Sequence, residues 1–452
     1  MYVCAMRALP EEFIERISRQ FPSEAAAFID ALDTPPQASV RVNVFKHGQT
    51  FDGAVGVPWN TEGFVLPSRP RYTLDPKLHA GCYYPQETSS MALQWVLKHC
   101  GLDTGPVDAL DVCAAPGGKS LILSDFLAGR GRLVSNEIIR SRAHILQEVM
   151  VKWGAPNVVA TNNRPADFGS GAMLFDLILV DAPCSGEGMF RKDPEARNEW
   201  TPQLPAACSV RQHEILKDVL PALKEGGVLI YSTCTFAPEE NENVVQYLVD
   251  SGDYEAIHCP VPPQWNIDVI DENGLFAMRF LPHRVMGEGL FISALRKKSN
   301  SKLPRSKPKK VFTALSSGEL KVLANHGCAY QGLLLGPDHE VYRSVFSIDE
   351  LNMLAGNLYL LQPGIHMGRV VRNDFNPAHA YALAFNEGFQ SNPVELDEQT
   401  AMAYLRGESI LITAPHGWHR VAYDGAVLGW VKVIGNRTNN YYPKEWRVKI
   451  KE

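Results

Sequence analysis

Apolar positions change period along the chain. Near the start they recur with helical spacing at Phe13, Ile14, Ile17 and Phe21, then over Ala25 to Leu32, which predicts two short helices. A strand-like run, Ser39-Val40-Arg41-Val42-Asn43-Val44, follows. From about residue 100 to 296, short β-branched runs alternate with helical stretches, the pattern of an α/β domain with a mostly parallel sheet. The predicted strands are Ala109–Cys113, Leu133–Asn136, Val158–Thr161, Leu177–Val180 and Val228–Ser232, with two more near Tyr254–His258 and Gly289–Leu295. The last of these suits an edge hairpin partner. The segment Lys297–Lys310 is rich in Lys, Ser and Pro and reads as a linker. Beyond it, residues 311–452 carry short strands, many turn signals and the aromatics Trp418, Trp430, Tyr441, Tyr442 and Trp446. The expected division is an N-terminal module (1–95), an α/β domain (96–296), a basic linker (297–310), an intermediate domain (311–385) and a C-terminal β module (386–452).

Composition narrows the class. A chain of 452 residues suits about three domains. With 45% hydrophobic and 21% charged residues it is ordinary globular material, which excludes wholesale disorder. No uninterrupted apolar stretch approaches the roughly 18 residues a membrane helix requires. The segment from Met1 to Pro10 shows no secretory signal. Nine cysteines, spread from Cys4 to Cys328 without a C-x-x-C pair, exclude the common cysteine zinc spacings. They argue against a disulfide framework and fit a reduced, cytoplasmic setting with no metal. The net charge of −6 speaks against nucleic acid as a partner, yet Arg296 to Lys310 holds eight basic residues and no acid. Such a strip would track phosphates, or serve equally well as a solvated tether.

The candidate chemistry clusters at the ends of the predicted strands. Asp111-Val112-Cys113-Ala114-Ala115-Pro116-Gly117-Gly118-Lys119-Ser120 follows an apolar strand and precedes the helical stretch Leu121–Leu127. Small residues at a strand-to-helix turn let the backbone approach a ligand, and the helix N-terminus favours negative charge. The end of this string is similar to a phosphate-binding loop, but the first glycine of that loop is replaced by Cys113, and the G-x-G-x-x-G fingerprint is absent. Glu137 ends the next strand, 20 residues after Gly117, the spacing at which an acid meets ribose hydroxyls in doubly wound folds. Asn162, Asn163 and Arg164 follow the third strand and Asp181 ends the fourth, so all are expected at one crevice. A glycine loop with an acid but without phosphate-type glycines suits S-adenosyl-L-methionine better than NAD.

Two cysteines belong to the same crevice. The fourth strand runs into Asp181-Ala182-Pro183-Cys184-Ser185-Gly186, and the fifth into Ser232-Thr233-Cys234-Thr235. A free cysteine is usually a small buried hydrophobe, and Cys100, Cys113, Cys208, Cys259 and Cys328 are read that way. Cys184 and Cys234 differ by position, at the tips of adjacent strands beside Asp181. A thiol is intrinsically nucleophilic, and Lys119, Lys192 or a helix N-terminus would raise its thiolate fraction.

Together, Cys113-Ala-Ala-Pro-Gly-Gly-Lys119, Asp181-Ala-Pro-Cys-Ser-Gly186 and Ser232-Thr-Cys-Thr235 resemble the Sun-type (Nop/Nol) RNA cytosine-C5 methyltransferases. Gly188-Met-Phe-Arg-Lys-Asp-Pro194, Phe280-Leu-Pro-His-Arg284 and Gly287-Glu-Gly289 resemble the bacterial branch that acts on small-subunit ribosomal RNA. Tyr84-Pro-Gln-Glu-Thr-Ser-Ser-Met91 matches the segment leading into its catalytic domain, and Tyr423–Arg447 is similar to its PUA-type module. The resemblance implies that Cys234 adds to C6 of cytosine, that Cys184 assists release of the adduct, and that Asp181 meets the cytosine edge near N3. It also implies that Cys113, Ala114, Ala115, Pro116, Gly117, Gly118, Lys119 and Glu137 hold the cofactor, together with Asp181. Many members carry an Asp after the third strand, where this chain has Asn162-Asn163-Arg164, so Asn163 and Arg164 are carried as cofactor contacts.

Three rivals are weaker. DNA cytosine-C5 methylation would use the cysteine of Pro183-Cys184, but leaves Thr233-Cys234 unexplained. Amino-group methyltransferases end the fourth strand in Asp/Asn-Pro-Pro-Tyr/Phe, not Asp-Ala-Pro-Cys. A non-catalytic RNA-binding protein predicts an eroded site, yet both cysteines and Asp181 remain. The expectation is therefore an α/β protein: a Rossmann-like S-adenosylmethionine methyltransferase domain with a mixed seven-stranded sheet, an N-terminal α+β module contacting substrate, and a C-terminal PUA-like RNA-binding module. Its expected partner is ribosomal RNA or the small ribosomal subunit, bound by a monomer away from membranes.

Overall fold

The computed structural model describes residues 8–46, 49–171, 173–300, 307–328, 330–385 and 391–450. Residues 301–306 of the predicted linker lie outside them. At the centre are five parallel strands: β1 (Val107–Asp111), β2 (Gly131–Asn136), β3 (Val158–Thr161), β4 (Phe175–Asp181) and β5 (Leu223–Thr233). They lie side by side as β3-β2-β1-β4-β5. Antiparallel β7 (Leu290–Lys297) pairs with β5, and β6 (Leu275–Phe280) pairs with β7. The sheet is mixed, as expected, but β6 was not among the expected strands, and the expected Tyr254–His258 strand is only a short segment beside β7. Three short strands extend these seven to ten: Tyr254–Ala256 on β7, Asp268–Glu272 on β6, and Leu360–Gln362 on β3.

Near-continuous apolar strands follow from burial on both faces. Leu177 and Leu179 of β4 face one core cluster, while Ile178 and Val180 face the other. The first face is covered by α3 (Gly118–Phe126) and α4 (Arg140–Trp153), which follow α1 (Glu11–Gln20) and α2 (Ala25–Leu32) in the chain. The second is covered by α5 (Leu204–Val219), helix Glu242–Asp250 and part of the intermediate domain, through Phe312, Phe346, Leu351 and Leu354.

Several boundaries move. β1 stops at Asp111 because Cys113 already lies in the turn toward α3. The linker begins after Lys297, not at it. Lys297 is the last residue of β7, and its buried Nζ donates to the carbonyls of Leu220 (3.0 Å) and Leu223 (3.1 Å).

The flanking modules are packed onto this domain. Phe13, Ile17, Phe28 and Leu32 of α1 and α2 share a core with Phe190, Trp200, Phe236 and Leu281. A four-stranded N-terminal sheet includes Ser39–Val42 and Tyr83–Pro85. Val40 and Tyr83 of that sheet pack with Tyr404, Val421 and Leu428 of the C-terminal β module. Trp430 is buried there, whereas Trp418 and Trp446 are half-buried. Among the described residues no helix is long and apolar enough to cross a membrane.

Candidate active site

Parallel pairing places Asp181 of β4 opposite Ser232 of β5, so the two loops leave the sheet side by side. Cys184 and Cys234 thereby meet as free thiols with their Sγ atoms 3.2 Å apart. The hydrogen bond to Cys234, reinforced by burial, pushes the Cys184 thiol well above its ordinary pKa. The two sulfurs share a hydrogen bond in which either thiol can be the donor. The chain at Gly188 passes so close that a Cβ there would lie 2.7 Å from the Cys234 carbonyl oxygen, and the Gly188 N–H donates to that oxygen (2.8 Å). Only glycine fits at 188.

The Asp181 carboxylate accepts from Ser232 Oγ (2.7 Å) and pairs with Lys119 Nζ (2.9 Å). Burial alone would lower the Lys119 pKa, but the Asp181 charge, with a smaller contribution from Cys234, raises it. A cation held by the Asp181 carboxylate therefore lies within electrostatic reach of the Cys234 sulfur.

Beside this pair opens a cavity of about 160 Å³. One wall is Asp111, Cys113 to Pro116, Gly118, Lys119 and Asp181; the other is Tyr84 to Glu87, Ser90 and Lys192. Two acceptors of lining residues, Asp111 Oδ1 and Gln86 Oε1, are buried without a hydrogen-bond partner among the described residues. Burial raises the Asp111 carboxyl to about 7, partly countered by a hydrogen bond from Ser120 Oγ (2.6 Å). Unpartnered acceptors at a glycine turn suit a cationic ligand, and an ammonium-bearing sulfonium meets that chemistry. Gly117, at φ +128°, is the residue that caps α3. A Cβ on Gly118 would lie 3.1 Å from Gln86 Nε2 and narrow the cavity. A larger groove, about 1050 Å³, opens at the opposite ends of the strands, but its Arg132–Asp108 and Lys224–Asp176 charges already neutralise one another.

Glu137 is buried at the end of β2, where Oε1 accepts from the Ile139 N–H (2.9 Å) and Oε2 lies 3.6 Å from Arg142. Asn163 and Arg164 are placed differently from the expectation. The Asn163 carboxamide is occupied at both ends by the Tyr359 backbone, donating to its carbonyl (3.2 Å) and accepting from its N–H (2.8 Å). Arg164 is exposed and pairs with Asp167 (3.0 Å) at a helix start. Asn162 donates to the carbonyls of Glu137 (2.6 Å) and Ile138 (2.9 Å). Asn162 ties down the β2 loop and Asn163 the intermediate domain, Arg164 pairs within its own helix, and none of the three lines the cavity. Cys113, read as a buried hydrophobe and also as a cofactor contact, is half-buried and lines it.

Sequence reasoning missed the wall contributed by the N-terminal module. Glu87 accepts from the N–H groups of Ser89 (2.7 Å), Ser90 (2.8 Å) and Glu288 (2.8 Å), joining that module to the Gly287-Glu-Gly289 loop. No periodicity marks such a residue; only the Tyr84-Pro-Gln-Glu string pointed to the segment.

Residues 103–296 match a family model described as 16S rRNA methyltransferase RsmB/F. Residues 9–88 match the N-terminal domain of 16S rRNA methyltransferase RsmF, and residues 391–448 match the methyltransferase RsmF PUA domain. Ribosomal RNA small subunit methyltransferase F of Shewanella loihica is 30% identical over 476 residues, spanning 97% of this chain and 96% of that protein. The protein of the same name from Serratia proteamaculans is 31% identical over 470 residues, spanning 97% and 96%. A methyltransferase homologue from Pyrococcus horikoshii is 28% identical with a TM-score of 0.54, covering 64% of this chain and 95% of its own. NSun6 from the same organism, solved with SFG, is 20% identical with a TM-score of 0.55 over 65% of this chain and 100% of its own, a likeness of fold. With its α/β core, N-terminal domain and PUA domain all matched, the chain belongs to the RsmB/F family of 16S rRNA methyltransferases.

Proposed function

We propose that this protein transfers the methyl group of S-adenosyl-L-methionine to C5 of a cytosine in small-subunit ribosomal RNA, through a covalent bond between Cys234 and C6. The observation that carries this reading is the pair of free thiols 3.2 Å apart beside the Asp181–Lys119 ion pair. C5 of cytosine is a poor nucleophile. Addition of the Cys234 thiolate to C6, with a proton taken up at N3 from solvent, makes C5 electron-rich, and the Asp181 carboxylate accepts a hydrogen bond from the N3–H of the adduct. Bound in the cavity, S-adenosyl-L-methionine supplies an electrophilic methyl carbon. Asp111, Gln86 and Gly118, which line the cavity, would hold it, with Glu137 at the end of β2, outside that lining, as the acceptor for its ribose. As the C5–CH3 bond forms, the methyl–sulfonium bond breaks and its electron pair stays on sulfur as a neutral thioether. C5 and N3 then lose their protons to solvent, the C5=C6 bond re-forms, and the C6–S bond breaks to return its electron pair to Cys234. The Cys184 thiol, donating to that sulfur, stabilises the departing thiolate.

The substrate follows from the names of the relatives and from the two flanking modules, one of which forms a wall of the cavity. Incubation with labelled S-adenosyl-L-methionine and unmodified small-subunit RNA, followed by bisulfite sequencing, tests the reading. New bisulfite-resistant cytosines that depend on Cys234 are expected. Label on an exocyclic amine or a ribose would overturn it.

A further inference from the structure

Behind the two cysteines lies a buried polar network that neither the cavity nor the proposed mechanism uses. Glu240 and Asn241 are consecutive, fully buried residues between β5 and the helix Glu242–Asp250. The Glu240 carboxylate accepts from the N–H of Ser185 (3.0 Å), from the Ser185 hydroxyl, and from Gln212 Nε2 (2.8 Å). Gln212 also donates to the Pro183 carbonyl (3.1 Å), so the residues on both sides of Cys184 are gripped. Asn241 does the same for Cys234. Its side-chain oxygen accepts from the Thr233 hydroxyl, and its Nδ2 donates to the Thr235 carbonyl (3.0 Å). The Ser185 and Thr235 hydroxyls, 2.8 Å apart, close the link between the two halves.

We propose that Glu240 and Asn241 are positioning residues that set the two sulfurs against each other, Glu240 holding the releasing cysteine and Asn241 the attacking one. A surface origin for these residues does not account for the arrangement. Acids and amides at the start of a helix are normally solvated, whereas both are sealed from water here and spend their hydrogen bonds on the neighbours of the two cysteines. Displacing a reacting group by about 1 Å costs on the order of 100-fold in rate, so the two residues should fail in different ways.

The inference rests on the reading that Cys234 attacks and Cys184 releases, and its test separates the two. The full chain with C184A, C234A, E240A, E240Q or N241A is incubated with RNA and S-adenosyl-L-methionine, then run on a denaturing gel alongside turnover assays. E240A is expected to accumulate the slow-migrating protein–RNA adduct, as C184A does. N241A is expected to form little adduct and to lose turnover about 100-fold with the RNA KM within about 3-fold. E240Q should restore release, because an amide can accept from Ser185 N–H and Gln212 and donate to the Ser185 hydroxyl oxygen. If C184A accumulates adduct but a folded E240A turns over without it, or if E240A and N241A share one phenotype, the positioning assignment is wrong. If C184A itself accumulates none, the reading beneath it fails and the assignment with it. Should E240A not fold, S185A, which removes only the shared hydroxyl, must show adduct above the parent level for the proposal to stand.

Discussion

At the scale of single residues, the cofactor side and the cysteine side make separate predictions. Glu137 is an acceptor with one oxygen committed to the backbone and the other near Arg142. Glu137→Ala should therefore weaken S-adenosyl-L-methionine binding about 10- to 150-fold, the value of a charge-assisted hydrogen bond of roughly 1.5–3 kcal/mol. Calorimetric titration of the folded variant checks this, and unchanged affinity would remove Glu137 from the site. Asp111 adds a pH dependence. Its folded carboxyl titrates at about 7 because it is buried, and a cationic ligand is attracted only to the ionised form. Affinity should thus be full above pH 7, fall as the pH drops through 7, and lose that slope in D111N. Spacing singled out Glu137 in the sequence, whereas the unpartnered acceptors of Asp111 and Gln86 arise from lost solvation and an opposing wall, which no local pattern records.

Among elements, the five parallel strands were legible because burial on both faces leaves apolar runs bounded by turns. β6 was not expected, although Asn273-Gly274 before it marks a hairpin turn. Both residues adopt positive φ (52° and 76°), joining Asp268–Glu272 to β6 with Glu272 paired to Leu275. Strand-end placement was equally legible: Cys184, Cys234 and Asp181 come together because β4 and β5 pair in parallel. Asn163 and Arg164 lie away from the cavity, Asn163 against Tyr359 and Arg164 on Asp167 of its own helix, since a polar residue after a strand need not face the crevice. The β1–α3 turn gives a direct test. Gly117 has φ +128°, and a Cβ there would lie 2.9 Å from Val149 Cγ1. Gly117→Ala should cost about 1–3 kcal/mol in stability and lower cofactor affinity. Chemical denaturation and titration measure both, and a neutral substitution would mean that the turn is not strained.

The whole molecule is held by cores shared between regions that the sequence reading divided. Phe312, Phe346, Leu351 and Leu354 complete the core against β4 and β5, and Leu360–Gln362 extends the sheet at β3. The basic segment is therefore followed by a domain bound to the catalytic one, and removing everything after Lys297 should bare apolar surface. With ~1.5–3 kcal/mol per buried large side chain, the truncated chain should melt roughly 10 °C or more below the full one. Equal melting temperatures would contradict the shared core. Recognition is better tested in the full chain, on the face where Lys432 Nζ lies 4.9 Å from the Trp418 ring and Tyr441 sits 4.4 Å from it. If that face stacks a base, Trp418→Ala should reduce RNA affinity at fixed salt by about 1–3 kcal/mol. An unchanged dissociation constant would assign Trp418 to the fold alone.

The full chain acting on RNA also offers the most direct test of covalent catalysis by Cys234. Cys234→Ala and Cys184→Ala proteins are each incubated with small-subunit RNA and S-adenosyl-L-methionine and resolved on a denaturing gel. The account predicts a slow-migrating protein–RNA band for Cys184→Ala, none for Cys234→Ala, and none for the double variant, because release is irrelevant when attack cannot occur. A band that survives only in Cys234→Ala would transfer the nucleophile to Cys184 and contradict it.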